Sequence, residues 1–339
     1  MLVLAQGLYS SMLVGLDLSL PVGSITGLLG KSKSEINNLL DVLSLRTGFY
    51  DGQYLLDNQN IAALPQPALD AKAKQIAFVK PELCLLKHKT LLQNLSLPLE
   101  QGGVPPDQTL ISVQSILELF QLEDKINTYP DNLSRFQQIK LALARALLFN
   151  PKLLLLADIT PQLASYQIRL LGHILQAWAQ AAKSAVLWYT QNLNQIKFII
   201  HQIAILQQGK IVEQSDVMQF LIDPKTELGH EIIKEQALRD LPSSIEQHLS
   251  AKEQDAHTPL IRLSFLGRTM EEPLIALLAQ KFQLGVNIIQ AYTEKLCTGT
   301  CSVFFIQLMG PKNNVSDSLT FLGTKGLNVD VIGYLPSSN

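Results

Sequence analysis

Gly30, Lys31 and Ser32, with the polar run Lys33-Ser-Glu-Ile-Asn-Asn38, lie between an apolar strand pattern and an apolar helix pattern. That is the setting in which a glycine-rich turn cradles phosphate. In G-x-x-x-x-G-K-[ST] the glycines let backbone N–H groups close around the phosphates, the Lys meets the β/γ oxygens, and the hydroxyl holds Mg²⁺. Counted from Gly30, the last three places hold Glu35, Ile36 and Asn37. Glu35 would repel a polyphosphate, since two like unit charges about 4 Å apart cost roughly 4 kcal/mol at an effective dielectric near 20. Ile36 brings no compensating charge. A shifted register ending in Gly30-Lys31-Ser32 puts Ile25 on the first glycine and needs a helix that starts early. It predicts that Lys31→Ala abolishes activity.

The elements that must position this loop belong to an ordinary folded chain. Its 339 residues favour two domains, and 47% apolar residues are enough for buried cores. A net charge of −2, from 27 basic and 29 acidic residues without a long run of either sign, argues against a nucleic-acid partner. Cys84, Cys297 and Cys301 are too few and too scattered for a disulfide framework, which fits a reducing compartment. Without a nearby His, Cys297 and Cys301 carry no metal expectation. Met1 to Leu20 precedes the first Lys and carries Asp17 among alternating residues, so it reads as strands and not as a signal peptide. No apolar run approaches the roughly 18 residues of a membrane span. Membrane association would come through a partner.

Short strands are expected from Leu2 to Asn60, interrupted by a helix at Ser34 to Leu45. Helical periodicity marks Thr109 to Leu122, Ser134 to Phe149 and Tyr166 to Lys183, while Leu153 to Ala157 and Ala185 to Tyr189 read as buried parallel strands. Such alternation predicts an α/β domain. Ile203 to Glu213 reads as a hairpin turning at Gln208-Gly209, and a helical pattern runs from Ser215 toward Ile233. Residues 1–240 form the first expected domain, 241–258 have linker composition, and 259–339 form the second. The second domain reads as strand Leu260 to Phe265, helix Glu271 to Phe282, strands Asn287 to Leu296 and Ser302 to Leu308, helix Ser316 to Thr324 and strand Asn328 to Tyr334. That βαββαβ order is ferredoxin-like.

Further motifs follow in a set order: Leu133-Ser-Arg-Phe-Gln137, Leu141-Ala-Leu-Ala-Arg-Ala-Leu147, Asn150-Pro-Lys-Leu-Leu-Leu-Leu-Ala-Asp158, Pro224-Lys-Thr226 and Val331-Ile-Gly-Tyr334. Over nearly the whole chain this order resembles the ATP-binding subunit of methionine-type ABC importers. The resemblance implies a P-loop NTPase fold of the ABC ATPase type, followed by an ACT-like NIL domain that binds methionine and damps transport. It places Ser134, Arg135, Phe136 and Gln137 in the L-S-G-G-Q signature, Ala157 and Asp158 at the Walker B and catalytic-Glu positions, Pro81 at the Q-loop glutamine and Gln191 at the switch histidine. Gly30, Ser32, Lys33, Glu35, Ile36, Asn37 and Asn38 fall on its nucleotide loop. Asn287, with Ile288 and Ile289 beside it, falls on its amino-acid site. It also implies ATP with Mg²⁺ as cofactor, a dimer with itself or another ABC ATPase subunit, a membrane permease as partner, a methionine-like ligand, and a cytoplasmic place peripheral to the inner face of the plasma membrane.

Departures from that pattern are systematic. Side chains at Arg135 and Phe136 obstruct the backbone approach that two glycines would permit. Ala157 has no carboxylate for the Mg²⁺ shell, and Asp158 is one methylene short of the catalytic acid. Losing one preorganised group typically costs about 10²-fold or more in rate. Hydrolysis is expected to be negligible and ATP binding weak.

Each residue also has a plainer role. Asp158 can cap the turn after its strand, Arg145 can form a structural ion pair, and Lys31 and Lys33 can be solvated loop charges that attract phosphate weakly. Trp178 and Trp188 read as packing residues. His173, His201 and His230 show no i, i+4 metal spacing. Asn287 can close a turn, while Ile288, Ile289 and Gln290 would alternate along a strand. Two functions stay open: a degenerate transport subunit that co-purifies with a permease through the surface at Leu83 to Leu92, or a non-transport regulator or scaffold that binds a soluble partner.

Overall fold

In the computed structural model, residues 1–250, 252, 257–266, 274–325 and 327–336 are described. Alternating apolar residues open the chain as β1 (Val3–Tyr9), paired antiparallel with β2 (Val14–Leu20). A continuous apolar run gives β3 (Ile25–Gly30), followed by α1 (Lys33–Leu43). With β4 (Asp51–Leu56) and β5 (Gln59–Asn60), the first two strands make a four-stranded antiparallel sheet in the order β2-β1-β4-β5.

The chain then passes through α2 (Gln66–Ala73), β6 (Ile76–Val79), α3 (Leu91–Gln101), α4 (Pro106–Phe120), α5 (Arg135–Leu147) and β7 (Leu153–Ala157). It continues as α6 (Ser165–Ala182), β8 (Ala185–Tyr189), α7 (Leu193–Ile196), β9 (Gln202–Gln207) and β10 (Lys210–Asp216). These strands and β3 form a six-stranded sheet in the order β10-β9-β3-β8-β7-β6. The pairs β3/β8, β3/β9, β6/β7 and β7/β8 are parallel. β7 and β8 are buried along their whole length, which is why both are unbroken apolar runs without alternation. β3 lies between β8 and β9, so Gly30 sits at the carboxyl edge, where open parallel sheets bind ligands. Ile36, Leu39, Leu40, Val42 and Leu43 of α1 share one core with Leu16, Leu18 and Leu20 of the antiparallel sheet and Leu155 and Leu187 of the parallel one.

The chain divides into two compact units, Met1–Gln214 and Ser215–Asn339. The second holds α8 (Val217–Ile222), α9 (Glu227–Asp240), α10 (Ser243–Glu246), β11 (His257–Leu266), α11 (Leu274–Phe282), β12 (Gly285–Leu296), β13 (Gly299–Met309), α12 (Lys312–Thr324) and β14 (Asn328–Pro336). Its sheet is antiparallel with the order β12-β13-β11-β14, the ferredoxin-like arrangement. Ile261, Leu263, Leu278, Ile306, Leu308 and Leu322 fill its core.

Three local readings change. The helix expected from Ser215 to Ile233 is two helices, because Pro224 cannot continue α8 and Thr226 caps α9 anew. α8 belongs to the second unit, where buried Arg262 of β11 donates to the Leu221 carbonyl at 3.0 Å and Asn328 donates to the Ile222 carbonyl. Strand alternation at Ile288 to Gln290 fails because Ile289 is an inserted bulge residue, with Ile288 opposite Ile306 and Gln290 opposite Phe305. Of the helix expected from Glu271, residues 271–273 lie outside the described set.

Candidate functional site

Only Lys31 and Ser32 separate β3 from α1. Residues 25–30 are fully committed to strand, pairing with β8 and β9, so the shifted register has no loop left to fold around a ligand. Ser32 caps α1: its hydroxyl accepts from the Glu35 N–H at 3.3 Å and its carbonyl from the Ile36 N–H at 3.1 Å. The early helix start that the shifted register needs is therefore present, but it comes from an ordinary serine cap. Gly30 has its own reason to lack a side chain, since a Cβ there would lie 2.8 Å from the Leu206 carbonyl and 3.1 Å from the Ile36 side chain.

Ser32, Glu35, Ile36 and Asn38 each have a contact within the protein that differs from phosphate binding. Ile36, which the resemblance sets on the nucleotide loop, is 0% exposed and points into the core. Glu35 turns its carboxylate to the β9–β10 turn and accepts the Gly209 N–H at 3.1 Å. Gln208 and Gly209 both have positive φ, 51° and 74°, as a two-residue hairpin turn requires. A Cβ on Gly209 would lie 2.4 Å from the Met12 carbonyl, so the turn tip fits only glycine. Asn38 accepts from the Ser10 hydroxyl at 2.5 Å and donates to Ser11 at 2.9 Å. The β1–β2 and β9–β10 turns thus both fasten to the first turns of α1. Asn37 and Lys33 are exposed.

Asp158 follows β7 with φ +28° and donates its N–H to the Tyr189 carbonyl at 3.0 Å. Its carboxylate accepts from the Thr160 hydroxyl at 3.2 Å. Burial raises its pKa, opposed by the Thr160 hydrogen bond, the Lys33 charge and the Gln191 backbone N–H. Lys33 and Gln191 thus both act on the Asp158 carboxyl at the carboxyl ends of the parallel strands. Ala157 is buried.

A second group forms around α5. Ser134 and Gln137 make a reciprocal capping box, with Gln137 N–H to Ser134 at 3.3 Å and Ser134 N–H to Gln137 at 2.9 Å. Lys140 lies over the Phe136 ring at 4.9 Å. The Arg135 guanidinium donates to the Pro81 carbonyl at 2.6 Å, joining two positions far apart in sequence. Arg145, read from sequence as an ion-pair residue, instead donates to the carbonyls of Cys84 and Leu83, both at 2.8 Å. Burial pulls its pKa down. Beside this turn lies a cavity of ≈ 300 Å³ whose lining includes Arg46, Phe78, Lys80, Leu83 and Arg145.

In the second unit Asn287 is exposed and its amide donates to Gln307 at 3.4 Å. Ile288 is 48% exposed, so it offers an apolar surface and not a lined pocket. Sequence reasoning missed Ser10, Ser11 and Gly209, the partners that fasten α1; the Gln208-Gly209 turn was legible, its contact with Glu35 was not.

A triphosphate with Mg²⁺ does not fit the groups at the end of β3: the helix is capped by Ser32, Glu35 is an anion, Ile36 is in the core and Ala157 has no carboxylate. Among the described residues no cluster of three His, Cys, Asp or Glu side chains could hold a metal ion, and no helix is long and apolar enough to cross a membrane.

Residues 13–160 match the ABC transporter family and residues 259–331 the NIL domain family. The chain is 30% identical over 324 residues to the methionine import ATP-binding protein MetN of Coxiella burnetii, covering 96% of this chain and 92% of that protein. It is 29% identical over 323 residues to the methionine import ATP-binding protein MetN 3 of Pectobacterium atrosepticum, covering 95% and 94%. Among solved structures, cbiO1 from Clostridium perfringens, part of the ABC transporter complex cbiONQ, matches with a TM-score of 0.61 at 18% identity over 71% of this chain and 96% of that one. A dimeric bacterial ABC transporter cassette matches with a TM-score of 0.56 at 21% identity, covering 63% and 98%.

Proposed function

The chain belongs to the family of methionine-import ATP-binding proteins, and we propose that it is a cassette-type importer subunit whose own nucleotide loop has become a structural joint that neither grips nor splits ATP. The observation that carries this reading is the pair Ser32 and Ile36: the first is spent as a helix cap and the second is fully buried where a cation would meet phosphate. Glu35 and Asn38, fastened to neighbouring turns, support it.

What remains is assembly and sensing. In a dimer of this family each ATP lies between the loop of one subunit and the signature of the other, so a homodimer of this chain has two silent sites. A heterodimer with an intact subunit keeps at most one site, impaired because Arg135 and Phe136 face it. The permease is the membrane partner, and a methionine-like ligand is assigned to the second unit near Asn287, Ile288 and Ile289. In this reading the protein works at the cytoplasmic face of the membrane as a peripheral subunit.

The test is Mg-ATP turnover by the purified full chain, with nucleotide binding followed by thermal shift. The expected result is turnover at background and no shift. Turnover near one per second, typical of the low end for enzymes, removes the proposal.

A further inference from the structure

We propose that Arg135 and Arg145 act as a two-armed clamp that holds the Pro81–Cys84 turn, and the groove beside it, in one fixed conformation. The two arginines stand ten residues apart on α5, about 15 Å along the helix axis at 1.5 Å per residue, yet both reach the same short turn. Arg135 holds the Pro81 carbonyl at 2.6 Å, and the two arms of Arg145 hold the Leu83 and Cys84 carbonyls at 2.8 Å each. Charge-assisted bonds of this length are among the strong ones, and a planar guanidinium presents them with little freedom to lose.

The turn needs such support. Leu83 and Cys84 both adopt left-handed backbone, with φ of 55° and 47°, which non-glycine residues disfavour. Local bonds from Leu83 N–H to the Lys80 carbonyl at 3.0 Å and from Cys84 N–H to the Glu82 carbonyl at 2.6 Å close it, and Leu83 buries its side chain. The neighbouring wall is fixed as well: Lys80 pairs with Asp41 at 3.6 Å, and both Lys80 and Arg46 lie over the Phe78 ring, at 4.8 and 5.0 Å. Because the clamp is built from this chain's own side chains, the groove keeps its shape without any nucleotide. The inference deepens the reading above by making the groove a preformed surface, but the clamp stands on its own contacts.

Hydrogen exchange on the full chain, read by mass spectrometry, tests it. Peptides covering residues 80–86 are expected to be protected in the wild type and unchanged by Mg-ATP. Arg135→Gly is expected to speed exchange there by about tenfold or more while the β7 peptide keeps its protection as a folding control. Arg135→Lys, which keeps the charge but not the planar fork, is expected to fall between the two. Wild-type protection in Arg135→Gly, or a change at residues 80–86 when Mg-ATP is added to the wild type, overturns the clamp. Turnover measured on the same sample separates the two proposals: ATP hydrolysis with unchanged exchange at residues 80–86 supports the clamp and removes the reading above.

Discussion

Placing a lysine at position 36 is the most revealing perturbation. If position 36 looked toward a phosphate, Ile36→Lys would be tolerated and would raise nucleotide affinity. Here Ile36 is 0% exposed and shares a core with Leu39, Leu40, Leu28 and Leu206. The change removes a branched side chain from that core and brings an unpaired ammonium toward it. An unpaired buried charge costs about 3–5 kcal/mol, and snorkelling of the lysine stem toward the helix end would recover part of it. A net loss of about 3 kcal/mol, at about 2–4 °C per kcal/mol for a unit of this size, lowers the thermal midpoint by roughly 6–12 °C. Differential scanning fluorimetry with and without Mg-ATP reads both quantities at once. The expectation is a lower midpoint and no nucleotide-dependent shift. A midpoint within about a degree of wild type together with a new Mg-ATP shift would refute the placement of Ile36 in the core.

Other perturbations probe the supporting contacts. Asp158 has a raised pKa caused first by burial, so folding favours its protonated form, and its contribution to stability is lost as pH rises from the ordinary value of 3.8 through the raised one. Asp158→Asn should therefore gain stability relative to wild type across that window and hold the gain at neutral pH, as read from urea midpoints at pH 3.5 and 7; an equal difference at both contradicts the assignment. Gly209→Ala must place a Cβ 2.4 Å from the Met12 carbonyl at φ +74°, and is expected to cost at least about 2 kcal/mol in urea unfolding. In the second unit, Arg262→Ala removes the guanidinium 3.2 Å from Asp330 and the donor to the Leu221 carbonyl, while Asp330 keeps the Asn328 amide at 3.4 Å. A loss of about 3 kcal/mol is expected, seen as a lower thermal transition of the full chain.

The parts of the fold that are dictated locally were legible in the residues. β7 and β8 appear at the expected positions because the unbroken apolar runs Leu-Leu-Leu-Leu-Ala and Ala-Val-Leu-Trp-Tyr leave few alternatives to a buried parallel strand. The β9–β10 turn appears at Gln208-Gly209 because only a glycine suits that backbone beside Met12. α3 was not anticipated; Pro98 lies inside it, yet the Thr90/Gln93 capping box that starts it was a readable signal. Ser34 was the expected start of α1, whereas Ser32 caps it and Lys33 begins it. At the site, residue types suggested departures from a phosphate loop, but not the contacts those residues make instead. The partner of Glu35 is Gly209, 174 residues away, and that of Arg135 is Pro81, 54 residues away, contacts that no local pattern encodes. The ion pair expected of Arg145 gave way to carbonyls because the helix places it under a turn whose left-handed residues turn those oxygens toward it.

Calorimetric titration of Mg-ATP into the full-length chain asks most directly whether the joint between β3 and α1 has replaced a nucleotide site. No saturable heat up to about 1 mM nucleotide, weaker than about −4 kcal/mol of binding free energy, is the result this structure predicts. Stoichiometric binding at micromolar concentration, lost on Lys31→Ala, would show that the end of β3 still holds phosphate and would contradict it.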